Sequence, residues 1–511
     1  AGFVRLEAGD FDTRRAHAWA GGQTMLNGLV LGGLIEGFWD RSAGFKTLPG
    51  GQDTGYDIAD YVAKIALSDP QAAFPWSLQI KAQRSDEVSD ETYLGLTEAD
   101  FAADPYQRYA STAGDRMDAT HEELSARFTM DFETFDITLV AYRTEFYRDW
   151  FKIDKVDVNG SIANSGGAGT GLTAIAENPG AHAAALAILK GGSGFVSPDG
   201  AILLKHNNRG YVAEGLQGVL AFDVSTGQAR HAIEVGLRFH KDEMDRFQWY
   251  DRFRIDNDTL VLTGSDTPGT ESNRIDRAEA LAFYIEDRIS FGRWTLTPGV
   301  RYEAITLTRD EFGTSDPNRT GSRFSQRENK VEALIPSLSL TYDINADWIG
   351  FAGVHRGFFP PAPGTTDQAP EDAVNWEIGA RYAKGVTRAE AVLFFNDYEN
   401  LVGTCTASTG GGCIIGDQFD AGRARVRGLE LSAGSDLSDR FSLPVGLPVR
   451  LAYTWTDGEF SNAFVSGYEP WGNVTAGDQL PYVPEHQWSL AFGVEAANWG
   501  SEASLNWVDE T

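Results

Sequence analysis

Long apolar runs are the first thing missing. No stretch of the 511 residues approaches the ~18–20 consecutive apolar positions of a membrane helix, which excludes a helical membrane protein. Cysteine is nearly absent: Cys405 and Cys413 stand alone in the segment TCTASTGGGCIIG. A close pair inside a polar loop favours a small disulfide-closed loop in an oxidising compartment, and two ligands without nearby His make no metal site. Basic charge is scarce. Lys and Arg number 43 against 73 Asp and Glu, a net charge of −30, which argues against a nucleic-acid partner. Such an acidic exterior is compatible with bound divalent cations, with bridged anionic lipids, or with loops that are simply kept soluble.

Catalytic signatures are lacking as well. There is no HExxH, P-loop, GxSxG elbow or GxGxxG, and His121-Glu122-Glu123 lacks the second His of a zincin. The 8 histidines are scattered along the chain and suggest no metal centre. The expectation is therefore no enzyme activity and no cofactor. No signal peptide precedes Ala1, so an exported chain of this kind is read as mature or truncated.

What is present is a period of two. In Ile275–Leu307, residues Leu281, Phe283, Ile285 and Ile289 alternate with Ala280, Ala282, Tyr284, Glu286 and Arg288. Past the short turn Phe291-Gly292-Arg293, Leu296, Val300, Tyr302 and Ala304 alternate with Thr297, Gly299, Arg301 and Glu303. That pattern makes strands with one apolar and one polar face. At about twelve to sixteen residues they exceed the usual globular strand and suit a tilted span of a bilayer. Similar segments recur, among them Glu122–Asp131, Asp136–Val156, Gly210–Asp223, Ala229–Arg246, Asn375–Ala383 and Gln487–Glu495, for about nineteen strands in all. Charges turned to lipid would cost several kcal/mol, so the apolar side faces out, with Trp488, Leu490 and Phe492 on lipid.

Connections alternate between short (Phe132–Thr134, Ser225–Gln228, Asn345–Asp347, Lys384–Val386) and long (Asp90–Asp118, Asp157–Asn208, Asn257–Asn273, Gly458–Leu480). Short periplasmic turns and long extracellular loops are the pattern of an all-β, transmembrane antiparallel β-barrel of the bacterial outer membrane. An odd count running up to Val508 implies that C-terminal strands are missing.

Several segments carry a resemblance. YLGLTEADFAADP (Tyr93–Pro105), EVGLRFHKDEMDRFQWYDRFRI (Glu234–Ile255), NWEIGARY (Asn375–Tyr382), RVRGLELSAG (Arg425–Gly434) and LPYVPEHQWSLAFGVE (Leu480–Glu495) resemble TonB-dependent outer-membrane receptors. Within that family the segments resemble the ferric dicitrate receptor-like siderophore transporters. The resemblance spans nearly the whole chain. It implies a 22-stranded barrel in which residues 1–511 supply the barrel domain, without the N-terminal plug and about three last strands. It also implies a receptor and active transporter for a ferric siderophore, energised by the TonB complex through a region ahead of the plug. By the same resemblance, arginines near strand tops contact the ligand, and the matching positions are Arg116, Arg148 and Arg246, with Gln248 an alternative to Arg246. Each could instead pair with a neighbouring acid such as Asp115, Asp149 or Asp245. Tyr147, Trp150, Phe247, Trp249 and Tyr250 could pack on an organic ligand or form the interfacial girdle. The acidic loop Leu96–Asp104 reads as a solvated face. A passive channel, a structural or adhesive barrel, and receptors for haem, cobalamin or oligosaccharide are the rival readings.

Overall fold

The computed structural model describes residues 1–160, 169–364, 369–404, 418–420, 422–465 and 472–510. Cys405 and Cys413 lie outside the described residues, and with them the expected disulfide. The chain is all-β. Its long strands are β1 (Gly2–Gly9), β2 (Thr13–Leu26), β3 (Leu29–Ser42), β4 (Tyr56–Asp69), β5 (Trp76–Ser89), β6 (Arg116–Asp131) and β7 (Phe135–Val156). They continue as β8 (Ile202–Thr226), β9 (Ala229–Asp256), β10 (Ser272–Phe291), β11 (Trp294–Glu311), β12 (Ser325–Asp343) and β13 (Trp348–Phe359). The last are β14 (Glu371–Lys384), β15 (Thr387–Tyr398), β16 (Ala424–Asp436), β17 (Pro448–Phe460), β18 (His486–Glu495) and β19 (Gly500–Val508). Each pairs antiparallel with the next in sequence order, so the nineteen form one meander. Among the described residues no ladder joins β1 to β19, and no helix is long and apolar enough to cross a membrane.

The turns at one end are as tight as a hairpin allows. Leu26 pairs with Leu29, Thr226 with Ala229, Phe291 with Trp294 and Lys384 with Thr387. Each encloses two residues, and the first has positive φ (Asn27, Gly227, Gly292, Gly385), the backbone twist that matches two-residue hairpins. Aromatic pairs gather at this end, including Trp294–Tyr342 at 4.3 Å, Trp348–Tyr382 at 4.9 Å and Phe132–Phe135 at 4.3 Å between ring centroids. Such a girdle marks a membrane–water interface.

Register carries the apolar face from β3 across to β12. One row of paired residues runs Leu31, Leu67, Leu78, Phe128, Leu139, Gly218, Leu237, Phe283, Tyr302 and Leu334. Because paired residues point to one face, these side chains share a single surface. Four residues higher on the same surface the row becomes Arg143, Glu214, Lys241 and Glu279, with Arg143–Glu214 at 2.7 Å and Lys241–Glu279 at 3.5 Å. The apolar stretch of β9 from Ala229 to Phe239 is about eleven residues, the length of one tilted span. The charged ladder above it ends the lipid-facing band.

The opposite face is polar and internally paired, as in Arg15–Asp40 at 2.7 Å, Lys81–Glu123 at 2.8 Å and Arg381–Glu390 at 3.0 Å. It also explains part of the glycine content. Tyr142, Tyr284, Phe351 and Phe394 stand directly opposite Gly215, Gly236, Gly379 and Gly428. A Cβ at Gly236 would lie 1.9 Å from the Tyr284 ring, so only glycine lets the ring lie flat across the neighbouring strand.

The structure departs from the expected strands at the long-loop end. β8 and β9 run 25 and 28 residues, extending the expected segments Gly210–Asp223 and Ala229–Arg246 well past the charged ladder. Asn207, Asn208 and Arg209 look like turn residues, yet they pair with β7, because ladder hydrogen bonds rather than local propensity decide here. Above the membrane band the outward face of β7–β9 is covered by a lobe. It contains helices α1 (Glu98–Ala103), α2 (Leu172–Glu177) and α3 (Ala183–Lys190), all of which the sequence pattern leaves as loop. Ile153, Val156, Ile202, Leu204 and Ile255 of the strands pack with Leu172, Ile175, Ile188 and Leu189 in one buried cluster. The segment Leu96–Asp104 is thus not merely a solvated face. Thr97 caps α1 through the Asp100 amide, and Asp100 takes a 2.6 Å ion pair from Lys190 of α3.

Candidate functional site

The tall ends of β7–β10 bring four arginines into one cross-strand row. Arg148 of β7 pairs with Arg209 of β8, Arg209 with Arg246 of β9, and Arg246 with Arg274 of β10. The pleat turns all four to the face opposite the apolar band, which is the luminal side. Like charges directly opposite one another are destabilising in a sheet, so four in sequence oppose folding unless something anionic joins them. Among the described residues, carboxylates meet part of that charge. Arg274 lies 3.2 Å from Asp276, which Arg309 also grips with bonds of 2.6 and 3.2 Å. Arg209 instead meets neutral groups, donating to Asn207 Oδ1 at 3.1 Å and the Tyr211 hydroxyl at 3.3 Å. The Arg148 guanidinium lies 5.9 Å from the Trp150 ring, and its buried Nε has no hydrogen-bond partner among the described residues.

A polar layer sits next to the row. Arg246, 7% exposed, donates to Gln248 Oε1 at 3.1 Å, and the fully buried Gln248 donates in turn to Asn207. One step higher, Tyr250 donates to Asp154 at 2.5 Å, while Lys205 pairs with Glu271 at 2.9 Å. Lys152 is held between the rings of Tyr93 and Trp150, 4.1 and 3.9 Å from their centroids. Arg209, Arg246, Arg274 and Arg309 line a cavity of about 410 Å³ together with the carboxylates Asp242, Glu243 and Asp276 and with Ala362 and Pro363 of the β13–β14 loop. Its chemistry is that of an anion receptor: planar donors in excess of carboxylates, on a rigid sheet, at the mouth of the lumen.

The expected site residues divide. Arg148, Arg246 and Gln248 come together in this layer. Arg116 does not: it opens β6 on the opposite face, half exposed, 3.0 Å from Asp118 and 3.7 Å from Asp90. It is an ion-paired rim residue, through acids other than the neighbouring Asp115. Of the aromatics, Trp150 and Tyr250 face the lumen. Trp249 stacks on His206 at 4.1 Å and Phe247 lies under Arg319 at 4.7 Å, both on the outward side. Tyr147 is exposed on that side too. Arg209, Arg274 and Arg309 went unrecognised in the sequence. Nothing in their local contexts marks them, and only the parity of alternation could have turned them toward the lumen.

Asp115 anchors the lobe to the site wall. It accepts from the Thr92 hydroxyl at 2.5 Å and from the Ile153 amide at 2.7 Å, behind Lys152. Burial pushes its carboxyl up to about 6, against those hydrogen bonds and the nearby charges of Arg108 and Lys152.

Comparison with known proteins agrees with this architecture. The family described as "TonB dependent receptor-like, beta-barrel" matches residues 8–511. The ferrioxamine B receptor of Salmonella typhimurium is 25% identical over 267 residues, covering 49% of this chain and 34% of that receptor. Among solved structures, the unliganded ferric citrate transporter FecA matches with a TM-score of 0.67 at 18% identity. That match covers 99% of this chain and 65% of the other. The siderophore receptor PiuA from Acinetobacter baumannii matches at 0.66 and 14% identity, covering 99% of this chain and 71% of its own. At such identities the likeness is one of fold.

Proposed function

Because this chain belongs to the TonB-dependent receptor family, in its β-barrel part, we propose that it carries an anionic ferric siderophore of the dicitrate kind across the outer membrane, energised through TonB. Members of the family are outer-membrane barrels, and the apolar band above the aromatic girdle fits that location. The observation that carries the reading is the row Arg148–Arg209–Arg246–Arg274. Citrate-like chelates present carboxylates to which guanidinium groups bind in bidentate fashion, and an anion seated across the row relieves its internal repulsion. The likeness to the ferrioxamine B receptor supports a second reading, a ferrioxamine-type chelate.

The test is binding of ferric dicitrate and of ferrioxamine B to the purified protein in detergent, followed by tryptophan fluorescence. Ferric dicitrate is expected to bind, with affinity falling as salt rises. Arg148→Ala is expected to weaken it about 10- to 100-fold, the loss of one or two charge-assisted hydrogen bonds. Binding of ferrioxamine B alone, insensitive to Arg148, favours the second reading. Binding of neither, with steady ion conductance in planar bilayers, refutes both and leaves a passive channel.

A further inference from the structure

One cluster lies apart from the lumen. Glu485, at the end of the β17–β18 loop, His486, the first residue of β18, and Asp509, just past β19, bring one ligand atom each within 4.8 Å of one another. They come from two strand ends that pair side by side, Gln487 with Val508 and Trp488 with Trp507. The Asp509 amide donates to the His486 carbonyl at 2.9 Å, which fixes that closure. His486 pairs with Trp455, and its neighbours on the face are Tyr453 and Trp488. The cluster therefore sits on the outward side at the long-loop rim, where the lipid-facing band ends.

We propose that Glu485, His486 and Asp509 bind a divalent transition cation of the zinc class at the outer rim of the barrel. Three features support it. First, the imidazole is oriented for the task. Its Nδ1 lies 3.0 Å from the Tyr453 hydroxyl, and its Nε2 faces Glu485 Oε1 at 3.9 Å. A partner on one ring nitrogen sets the tautomer that leaves the other lone pair free for a metal. Second, the charge is unbalanced. Two nearby rim acids have arginine partners, Arg427–Asp457 at 2.7 Å and Arg425–Asp397 at 3.3 Å. Neither Glu485 nor Asp509 has a Lys or Arg ion pair among the described residues; Glu485 is held only by Trp455 Nε1 at 3.3 Å and His486. Third, the donor set is selective. One imidazole and two carboxylates suit zinc and its first-row neighbours better than calcium, which takes oxygen ligands only. Ligand atoms around a tetrahedral zinc stand about 3.4 Å apart, which side-chain rotation reaches from the observed spacing. Three protein ligands leave the fourth tetrahedral position for one further donor.

The test uses the whole chain, folded in detergent and stripped with a chelator, then titrated with Zn²⁺ alone by calorimetry. One Zn²⁺ per chain is expected, with His486→Gln and Asp509→Asn each weakening it at least about tenfold. Tyr453→Phe should weaken it by a smaller factor, within the tenfold to hundredfold range of outer-shell partners. Co²⁺ substitution should give a visible absorption band that His486→Gln abolishes. Retained strand content by circular dichroism and unchanged ferric chelate binding would show that these variants are folded and that the luminal site is separate. No stoichiometric uptake, uptake that survives both His486→Gln and Asp509→Asn, or binding of Ca²⁺ in preference to Zn²⁺ would each overturn the proposal.

Discussion

Replacing Arg209 by Met separates a binding role from a structural one. Arg209 stands between Arg148 and Arg246, so its removal relieves two like-charge contacts at once. Charges about 5.5 Å apart repel by roughly 1 kcal/mol at the dielectric of water and about 3 kcal/mol at an effective value of 20. The row lines a wet mouth and its side chains can splay, so the relief is at the low end, about 1–3 kcal/mol for both contacts. Against it stand the bonds to Asn207 and Tyr211, about 1 kcal/mol each, while methionine retains the stem packing. The balance predicts a barrel within about 1 kcal/mol of the parent's stability. Affinity for an anionic ferric chelate should fall about 10- to 100-fold, because one charged donor is lost. Urea unfolding followed by tryptophan fluorescence gives the first quantity, and chelate titration the second. A loss of stability above about 1 kcal/mol with unchanged chelate affinity would refute the argument, since Arg209 would then be a structural residue.

Three further outcomes follow from the fold. The Asp115 carboxyl, raised to about 6, binds its proton more readily folded than unfolded, so its burial penalty is full above pH 6 and fades below. The lobe over 90–115 and 172–190 should gain hydrogen-exchange protection from pH 7 to pH 5, after correction for intrinsic rates, and Asp115→Asn should remove that gain; a loss of protection on acidification that Asp115→Asn abolishes would contradict it. Leu237→Arg, in the middle of the apolar band, should cost about 2–4 kcal/mol in lipid vesicles, while Thr138→Arg on the luminal face costs under about 1; equal costs would mean the faces are misassigned. Spin labels at Trp488, Leu490 and Phe492 should be accessible to oxygen dissolved in lipid, and access by water-soluble relaxation agents instead would reverse the assigned face of β18.

The strand plan was legible from the residues because a pleated strand in a bilayer must alternate every second side chain. Ile233, Val235, Leu237 and Phe239 declared their face before any partner strand was known, and short turns such as Gly292-Arg293 declared the periplasmic side. The lack of any apolar run of ~18–20 residues had argued against a membrane helix, and none is present among the described residues. Above the charged ladder that constraint lapses. There β8 and β9 are held by ladder bonds and by packing under α2 and α3, so local patterns no longer report the structure. The binding layer was legible only in part. Arg148, Arg246 and Gln248 stood in recognisable segments, but Arg209 and Arg274 joined them through register alone, and Arg116 fell on the other face. The outer-rim cluster is the extreme case, since Asp509 reaches His486 only across the β18–β19 hairpin. The sequence by itself determined which face of each strand meets lipid, because burial in hydrocarbon acts on every strand separately. Only the tertiary structure decided which polar residues meet, because cross-strand register is a property of pairs, and no single strand encodes it.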